Sequence, residues 1–482
     1  MEYEPVIGLE VHAQIHTASK MFCSCPVKED TGDLAPNSLV CPVCTAMPGV
    51  LPVINKRAVE MAIKTGLALN CEVPDFSRFA RKSYFYPDLP KGYQISQYPP
   101  VFPPLTQNGY LDIETEAGKK RVRINRAHLE EDTGKLHHVG KGTSRVDFNR
   151  AGVPLLEIVS EADMRSVEEM RAYATKLHSI LVYVGVNSGD MEKGVMRFEA
   201  NISVRPVGSN EMNPRHEIKN LNSFRALTRS ATYEIESQIA TIEAGGTVEQ
   251  QTMGWDDAHG VTVPQRSKEF ADDYRYFPEP DLPVIEISPE WVKELRTQLP
   301  ELPDAKHARF VSRYGLSEYD AGVLVADKAT ANYYEAVVRA GKADAKTVAN
   351  WVTGEFFRLL KESGQSVGEA PVPPRSLAEL VALVEANTIN AGTAKQVRED
   401  MFASGKRAGA IGEKRGLAQV SDEAELEPAV AKVLSEHADE VARYRAGEEQ
   451  VLGWLMGQVM KATQGKANPQ VVRQVLQRSL KK

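Results

Sequence analysis

Four cysteines fall in two close pairs, Cys23-Ser24-Cys25 and Cys41-Pro42-Val43-Cys44, with fifteen residues between the pairs. Two such pairs joined by a loop can surround one Zn²⁺ with four thiolates in a tetrahedron. The spacing suggests no open coordination position, so a metal held here would be structural. Four unrelated reduced thiols are the plain alternative. Cys71 stands apart after Ala68-Leu69-Asn70 and reads as an ordinary buried thiol.

A second set is built of carboxylates and histidine. Glu10 and His12 are two apart on an expected strand and therefore share a face. His128-Leu129-Glu130-Glu131-Asp132 follows, then Glu157 inside the apolar run Leu155-Leu156-Glu157-Ile158, then Glu199 and Asn201 near Asp190 and Glu192, and Glu217. Hard cations such as Mg²⁺ collect several such oxygens and complete their shell with phosphate. Each residue singly is an ordinary solvated strand position. Glu157 is different, because a carboxylate in an apolar run needs a partner or a metal. A third stretch, Arg81 to Gln94, packs cations, hydroxyls and rings into a Pro/Gly loop (Lys82, Tyr84, Tyr86 and Lys91 among them), the kind of loop that carries binding groups. Gly140-Lys141-Gly142-Thr143-Ser144 looks like a phosphate loop, but position 135 is lysine and breaks the pattern. There is no G-x-G-x-x-G unit, no G-x-S-x-G elbow and no H-E-x-x-H pair for a metal-dependent hydrolase.

The elements that must position these residues can be read from pattern. The chain has 482 residues, enough for about three domains. Hydrophobic residues at 42% and charged residues at 26% mark a globular protein and exclude a largely disordered one. No apolar run reaches the roughly 18 residues of a membrane span. The acidic start Met-Glu-Tyr-Glu-Pro lacks a secretory signal, and five cysteines fit a reducing cytoplasm better than a disulfide scaffold.

Residues 1–287 read as an α+β body on an antiparallel sheet, with strands near Val6–His12, Arg121–Asn125 and Ala200–Arg205 and a helix from Ser166 to Val182. The zinc-binding loop is an insertion in this body. Ser288-Pro289 opens an all-helical region, 288–404, with Ser at N-cap and Pro at N1. Prolines at 371, 373 and 374 interrupt it, and Ser376 with Glu379 reads as a capping box that reopens a helix. A small all-helical tail, 405–482, completes the chain. The net charge of -7 excludes a uniformly basic nucleic-acid coat. Locally the sign reverses: from Leu455 onward there are Lys461, Lys466, Arg473, Arg478, Lys481 and Lys482 and no acidic residue. Such a face suits phosphates, with a merely solvated surface as the alternative.

Several of these stretches together resemble one family, the B subunit of the tRNA-dependent amidotransferase. The resemblance lies in Ile7 to His12, Arg81 to Gln94, His128 to Lys135, Asp147 to Glu157, Glu217 to Arg225 and Gly457 to Thr463, and it covers essentially the whole chain. It implies a cradle domain, a helical domain and a tail that holds tRNA through Lys461, Lys466, Arg473, Arg478 and Lys481. It also implies a reaction in which ATP phosphorylates the side-chain carboxylate of Glu on tRNA(Gln), or of Asp on tRNA(Asn). Ammonia from the amidase, or A, subunit then displaces the phosphate, and the small C subunit makes the complex a heterotrimer. The non-discriminating aminoacyl-tRNA synthetase is a further implied partner. By the same resemblance Glu10, His12, Glu130, Glu131, Glu157, Glu199, Asn201 and Glu217 would hold Mg²⁺ or order its waters, and Lys82, Tyr84, Tyr86 and Lys91 would touch phosphates or the aminoacyl end. Position 199 is usually Asp in the family, and Phe198 is usually Cys. A zinc-containing tRNA-binding adaptor with no ATP-dependent activity is the competing reading.

Overall fold

The computed structural model describes residues 2–29, 32–98, 101–140, 142–265, 274–386, 388–415, 423–463 and 467–481. The chain divides into two compact units, Met1–Leu302 and Pro303–Lys482.

The first unit is mixed α/β. Its strands are β1 (Tyr3–Gln14), β2 (Phe76–Ser77), β3 (Ala80–Ser83), β4 (Tyr93–Ser96), β5 (Thr106–Thr115), β6 (Gly118–Glu131), β7 (Lys135–His138) and β8 (Ser144–Asp147). They continue with β9 (Pro154–Ser160), β10 (Met196–Pro206), β11 (His216–Leu221), β12 (Gln251–Asp256), β13 (Val261–Pro264), β14 (Phe277–Pro278) and β15 (Ile285–Glu286). The helices are α1 (Lys56–Ala68), α2 (Val167–Val184), α3 (Phe224–Glu243) and α4 (Pro289–Thr297). Eight strands form one sheet in the order β13-β12-β11-β10-β1-β9-β6-β5. Its pairings are antiparallel except β11 with β12, which run parallel.

Alternation along β1 explains its central place. Ile7, Leu9, Val11 and Ala13 are fully buried on one face, where α2 packs on β5 and α3 on β10. Glu10 and His12 stand on the other face. Both covering helices start on a serine cap: Ser166 Oγ accepts from the Glu169 amide, and Ser223 Oγ from the Ala226 amide. Gly185 ends α2 in the left-handed region, with φ 87°. With the helices all on one side, the opposite face of the sheet is left for polar groups.

The second unit is helical. It runs through α5 (Pro303–Tyr314), α6 (Glu318–Val325), α7 (Lys328–Ala340), α8 (Ala345–Trp351), α9 (Phe357–Ser363), α10 (Pro374–Glu385), α11 (Ala391–Ser404) and α12 (Ala408–Arg415). Then come α13 (Glu423–Glu436), α14 (Ala438–Arg445), α15 (Val451–Ala462) and α16 (Pro469–Leu480). Ser376 does not cap α10. The helix already begins at Pro374, a proline at N1, and Ser376 is buried within its first turn. The last helices close on a core of their own, in which Leu426, Val430, Leu455 and Val459 meet Val472, Val475, Leu476 and Leu480.

Candidate functional site

Strand register gathers the carboxylates. His12 on β1 lies opposite Glu157 on β9, and Glu157 lies opposite His128 on β6. On the other flank Glu10 lies opposite Glu199 on β10, and Asn201 opposite Glu217 on β11. Between Phe198 and Ala200 the β10–β11 register shifts, with Asn220 at φ 59° on the bulged strand. Lys219 thereby reaches Glu199 at 2.8 Å and Glu217 at 3.6 Å.

His12 Nε2 stands 3.5 Å from Glu157 and 3.7 Å from both Glu10 and Glu130. His128 Nε2 is 3.6 Å from Glu157, and Arg126 reaches Glu157 at 3.2 Å. Three groups bring their ligand atoms within 4.8 Å of one another: Glu10, His12 and Glu157; His128, Glu130 and Glu157; and Glu10, Glu199 and Glu217. Burial alone would lower the His12 pKa, but the hydrogen bond and charge of Glu157 raise it to about 9, helped by Glu199 and Glu130. Burial, and then the charge of Glu157, pushes Glu130 up to about 7. Burial drives His128 down to about 4 against the pull of Glu157. Burial also opposes ionisation of Glu157, yet His128, His12 and Arg126 hold it well below the ordinary carboxylate range. Groups whose proton affinities are driven apart in this way cluster at functional sites and in structural ion-pair networks alike.

Lys82 faces the same cluster. Burial works against its ammonium, but Tyr276, Glu130 and Glu157 raise its pKa above the ordinary lysine value. Its Nζ lies 5.0 Å from the ring centre of Tyr274 and 5.9 Å from that of Tyr84. Tyr84 is local, whereas Tyr274 comes from distant sequence because β14 pairs with β3. Next to Lys82, Arg81 makes a bidentate bond to the fully buried Glu279, at 2.7 and 2.8 Å, and stacks on Tyr93 at 4.4 Å. Glu131, neighbouring Glu130 on a strand, points to the opposite side. There it accepts from Lys91 at 2.7 Å and from the Ile95 amide at 3.0 Å. Tyr86 is half exposed on the loop after β3.

Above the Glu10–Glu217 flank opens a cleft of about 550 Å³, lined by Gly8, Asn125, Arg126, Asn201 and Arg215 along with those carboxylates.

The cysteines meet in the loop between β1 and α1. All four sulfurs lie within 4.8 Å of one another, with Cys41 to Cys44 at 3.9 Å and Cys25 to Cys44 at 4.0 Å. Bonds of ~2.3 Å in a tetrahedron would set sulfurs about 3.8 Å apart, so the donor set fits one metal ion. The Cys23 hydrogen bond, opposed by burial and helped by the Cys41 backbone and Lys20, lowers Cys44 to about 4, which is the thiolate a metal takes.

In the tail Lys461, Arg473 and Lys481 are exposed, whereas Arg478 is bonded to Glu423 at 2.8 Å and Glu427 at 2.7 Å. Lys466 and Lys482 lie outside the described residues.

Residues 5–293 match the family model described as the GatB/GatE catalytic domain, and 332–480 match the GatB domain. The chain belongs to the GatB family. Proteins named as the B subunit of aspartyl/glutamyl-tRNA(Asn/Gln) amidotransferase are similar over full length. The one from Moorella thermoacetica is 54% identical over 483 residues, covering 100% of both chains. That from Caldanaerobacter subterraneus subsp. tengcongensis is 51% identical over 482 residues, again 100% of each. A Roseiflexus relative is 50% identical over 485 residues, spanning 100% of this chain and 99% of its own. The resemblance read from the motifs is therefore borne out, and so is the antiparallel α+β body followed by helices. The first GatB match spans every carboxylate, the cysteines and Lys82. Among the described residues no helix is long and apolar enough to cross a membrane.

His128 joins the cluster from the run singled out in the sequence, though no ligand role is expected of it there, and two further groups, Arg126 and Lys219, lie outside the expected site residues. Arg126 precedes Glu130 by four residues on one strand and Lys219 follows Glu217 by two, so the parity that pairs Glu10 with His12 is the signal that finds them. Tyr274 and Tyr276 carry no local signal of that kind.

Proposed function

We propose that this chain is the B subunit of an aspartyl/glutamyl-tRNA amidotransferase, a ligase, and that the sheet face around Glu157 is where a misacylated tRNA is activated. The observation that carries this reading is the convergence of Glu10, His12, His128, Glu130, Glu157, Glu199 and Glu217 with Lys82 on one face. The side-chain carboxylate of Glu-tRNA(Gln) or Asp-tRNA(Asn) attacks the γ-phosphorus of ATP, the bond to ADP breaks, and an acyl phosphate forms. Ammonia then adds at the carbonyl carbon, phosphate leaves with the C–O bonding pair, and the nitrogen loses a proton to give the amide.

The chain's part is to hold charge in place. Glu10, Glu199 and Glu217, with Asn201 beside them, would hold one Mg²⁺, and His12, Glu130 and Glu157, with His128, a second or its ordered waters. Such a cation neutralises phosphate oxygens during phosphoryl transfer. Lys219 offsets part of the carboxylate charge. Lys82 faces the oxygens on which charge builds, and Tyr84 and Tyr86 line the approach of the aminoacyl end. The cleft at Arg126 and Arg215 would take the nucleotide. Glu131, paired with Lys91 at 2.7 Å, stands apart from these ligands. Zn²⁺ at Cys23, Cys25, Cys41 and Cys44 is structural. Lys461, Lys466, Arg473 and Lys481 would bind tRNA phosphates, and Arg478 would join them by exchanging its carboxylate partners. A B subunit implies companions: an amidase as the A subunit, a small C subunit, and the misacylating synthetase, in the cytoplasm. Whether Glu-tRNA(Gln) or Asp-tRNA(Asn) is the substrate depends on which synthetase misacylates.

Co-expressing the chain with the two companion subunits and assaying Gln-tRNA formation from Glu-tRNA, ATP and glutamine tests the reading. Product that requires ATP and disappears with Glu10→Ala is expected. A complex that binds tRNA and consumes no ATP would instead be an adaptor.

A further inference from the structure

Lys20 is a buried lysine that the proposed reaction leaves unused. It is 1% exposed. Its ammonium donates to the Leu39 carbonyl at 2.8 Å and the Phe148 carbonyl at 3.3 Å, and its third contact is Cys44 Sγ at 3.6 Å. Among the described residues no carboxylate pairs with it. A charge taken out of water needs an opposite charge, and neutral carbonyls do not supply one. Four thiolates around a divalent cation do supply one, since they sum to a double negative charge.

We propose that Lys20 is the counter-charge of the metal–tetrathiolate centre and the positioning residue that fastens it to the 147–153 turn. This rests on the metal reading of the cysteines. The ammonium sits where an N–H···S bond to Cys44 draws electron density from the thiolate, the influence by which groups behind the ligands tune a metal. The surrounding backbone is held in the same sense. The Met21 amide donates to the Gly152 carbonyl at 2.7 Å, the Leu39 amide to Asn149 Oδ1 at 2.8 Å, and the Asn37 amide to Asp147 at 2.8 Å. Gly152 supplies the φ of 83° that the turn needs at this junction, and its α-carbon packs there: a Cβ would be in ordinary contact, 3.6 Å from both Lys20 Cδ and Cys44 Cβ and 3.9 Å from Glu131 Oε2. Lys20 therefore joins the metal loop to the backbone beside Glu131.

The test uses the full chain as wild type, Lys20→Met and Lys20→Arg. Zinc content is measured first, then the rate of zinc loss to excess EDTA, then the sulfur-to-metal charge-transfer band of the cobalt(II)-substituted protein. Lys20→Met should lose zinc at least tenfold faster and shift the band to longer wavelength, with Lys20→Arg within threefold of wild type. Zinc in wild type together with an unchanged rate and band in Lys20→Met overturns the Lys20 assignment alone. Wild type without zinc overturns the metal centre itself. Should Lys20→Met not fold, acetic anhydride labelling of wild type decides. Lys20 is expected to be shielded with zinc bound and acetylated after its removal, and equal labelling in both states refutes the proposal.

Discussion

The carboxylate face of the sheet and the basic tail both concentrate charge, by opposite means. On the sheet, β1, β6, β9, β10 and β11 each contribute side chains whose positions follow from strand register, and most are buried. In the tail, Lys461 and Arg473 stand exposed on helices whose buried stripe lies in the local core, and Lys481 is exposed just past the end of the last. Fixed charges in a sheltered site can stabilise one transition state, because they need not reorganise. Mobile surface charges can bind a phosphate backbone without reading sequence. Position matters in the first region and density in the second.

The sharpest way to break this contrast is to remove one register-held ligand. Glu157→Ala should lower ammonium-dependent amide formation by more than about 100-fold, since it empties the position shared by two ligand groups. Its tRNA affinity should stay within about twofold. Near-normal amidation with ammonium as donor would remove the metal assignment.

A second effect follows from His12. Its folded pKa near 9 lies above the ordinary 6.5, so the stability it contributes is complete below pH 6.5 and disappears as pH rises through 9. In Mg²⁺-free, zinc-loaded protein, the wild type should lose about 3 kcal/mol more than His12→Gln between those pH values, since a tenfold change in proton affinity is worth ~1.36 kcal/mol. Denaturant melts of both proteins at pH 6.5 and 9 measure this, and parallel losses would mean the histidine is not held by the carboxylates. Below pH 6.5 the depressed His128 and raised Glu130 pull in opposite directions, so that range is uninformative.

For the tail, deletion after Ser404 should weaken tRNA binding and flatten its salt dependence while leaving ATP binding intact. Lys461→Ala alone should reduce the salt slope by about 1. Filter binding across a salt series reads both, and an unchanged slope would make the tail a packing or partner surface. The smallest effect is expected from Glu199→Asp. Lys219 already reaches position 199 at 2.8 Å, and shortening that arm by one methylene should change the amidation rate by no more than about threefold. A larger loss would show that the extra length is itself required.

How much of this is legible in the sequence depends on the distance along the chain between partners. Glu10 with His12, the paired cysteines and the helix starts at Ser166 and Ser288 are local patterns, and each has the structure its spacing dictates. Glu130 and Glu131 look alike in sequence, yet neighbours on a strand must face apart, and only Glu130 joins the cluster. The capping box expected at Ser376 does not form, because a proline already inside the first turn leaves a later serine nothing to cap. The surroundings of Lys82 and its neighbour Arg81 are illegible because Tyr274 and Tyr276 reach the lysine, and Glu279 the arginine, only through tertiary pairing.

That pairing also sets an order of events during synthesis. Arg81 and Glu279 are separated by 198 residues. At 5–20 residues per second a ribosome needs roughly 10–40 s between making one and the other. Throughout that interval Arg81 lacks its carboxylate and Lys82 lacks the rings of Tyr274 and Tyr276. Contacts of such separation form slowly, and strands waiting for partners are prone to pair wrongly. The surroundings of Lys82 should therefore be completed only after position 279 has been made, later than the carboxylate face, whose strands end at Leu221, and a chain terminated before position 279 should carry that face with Arg81 unpaired.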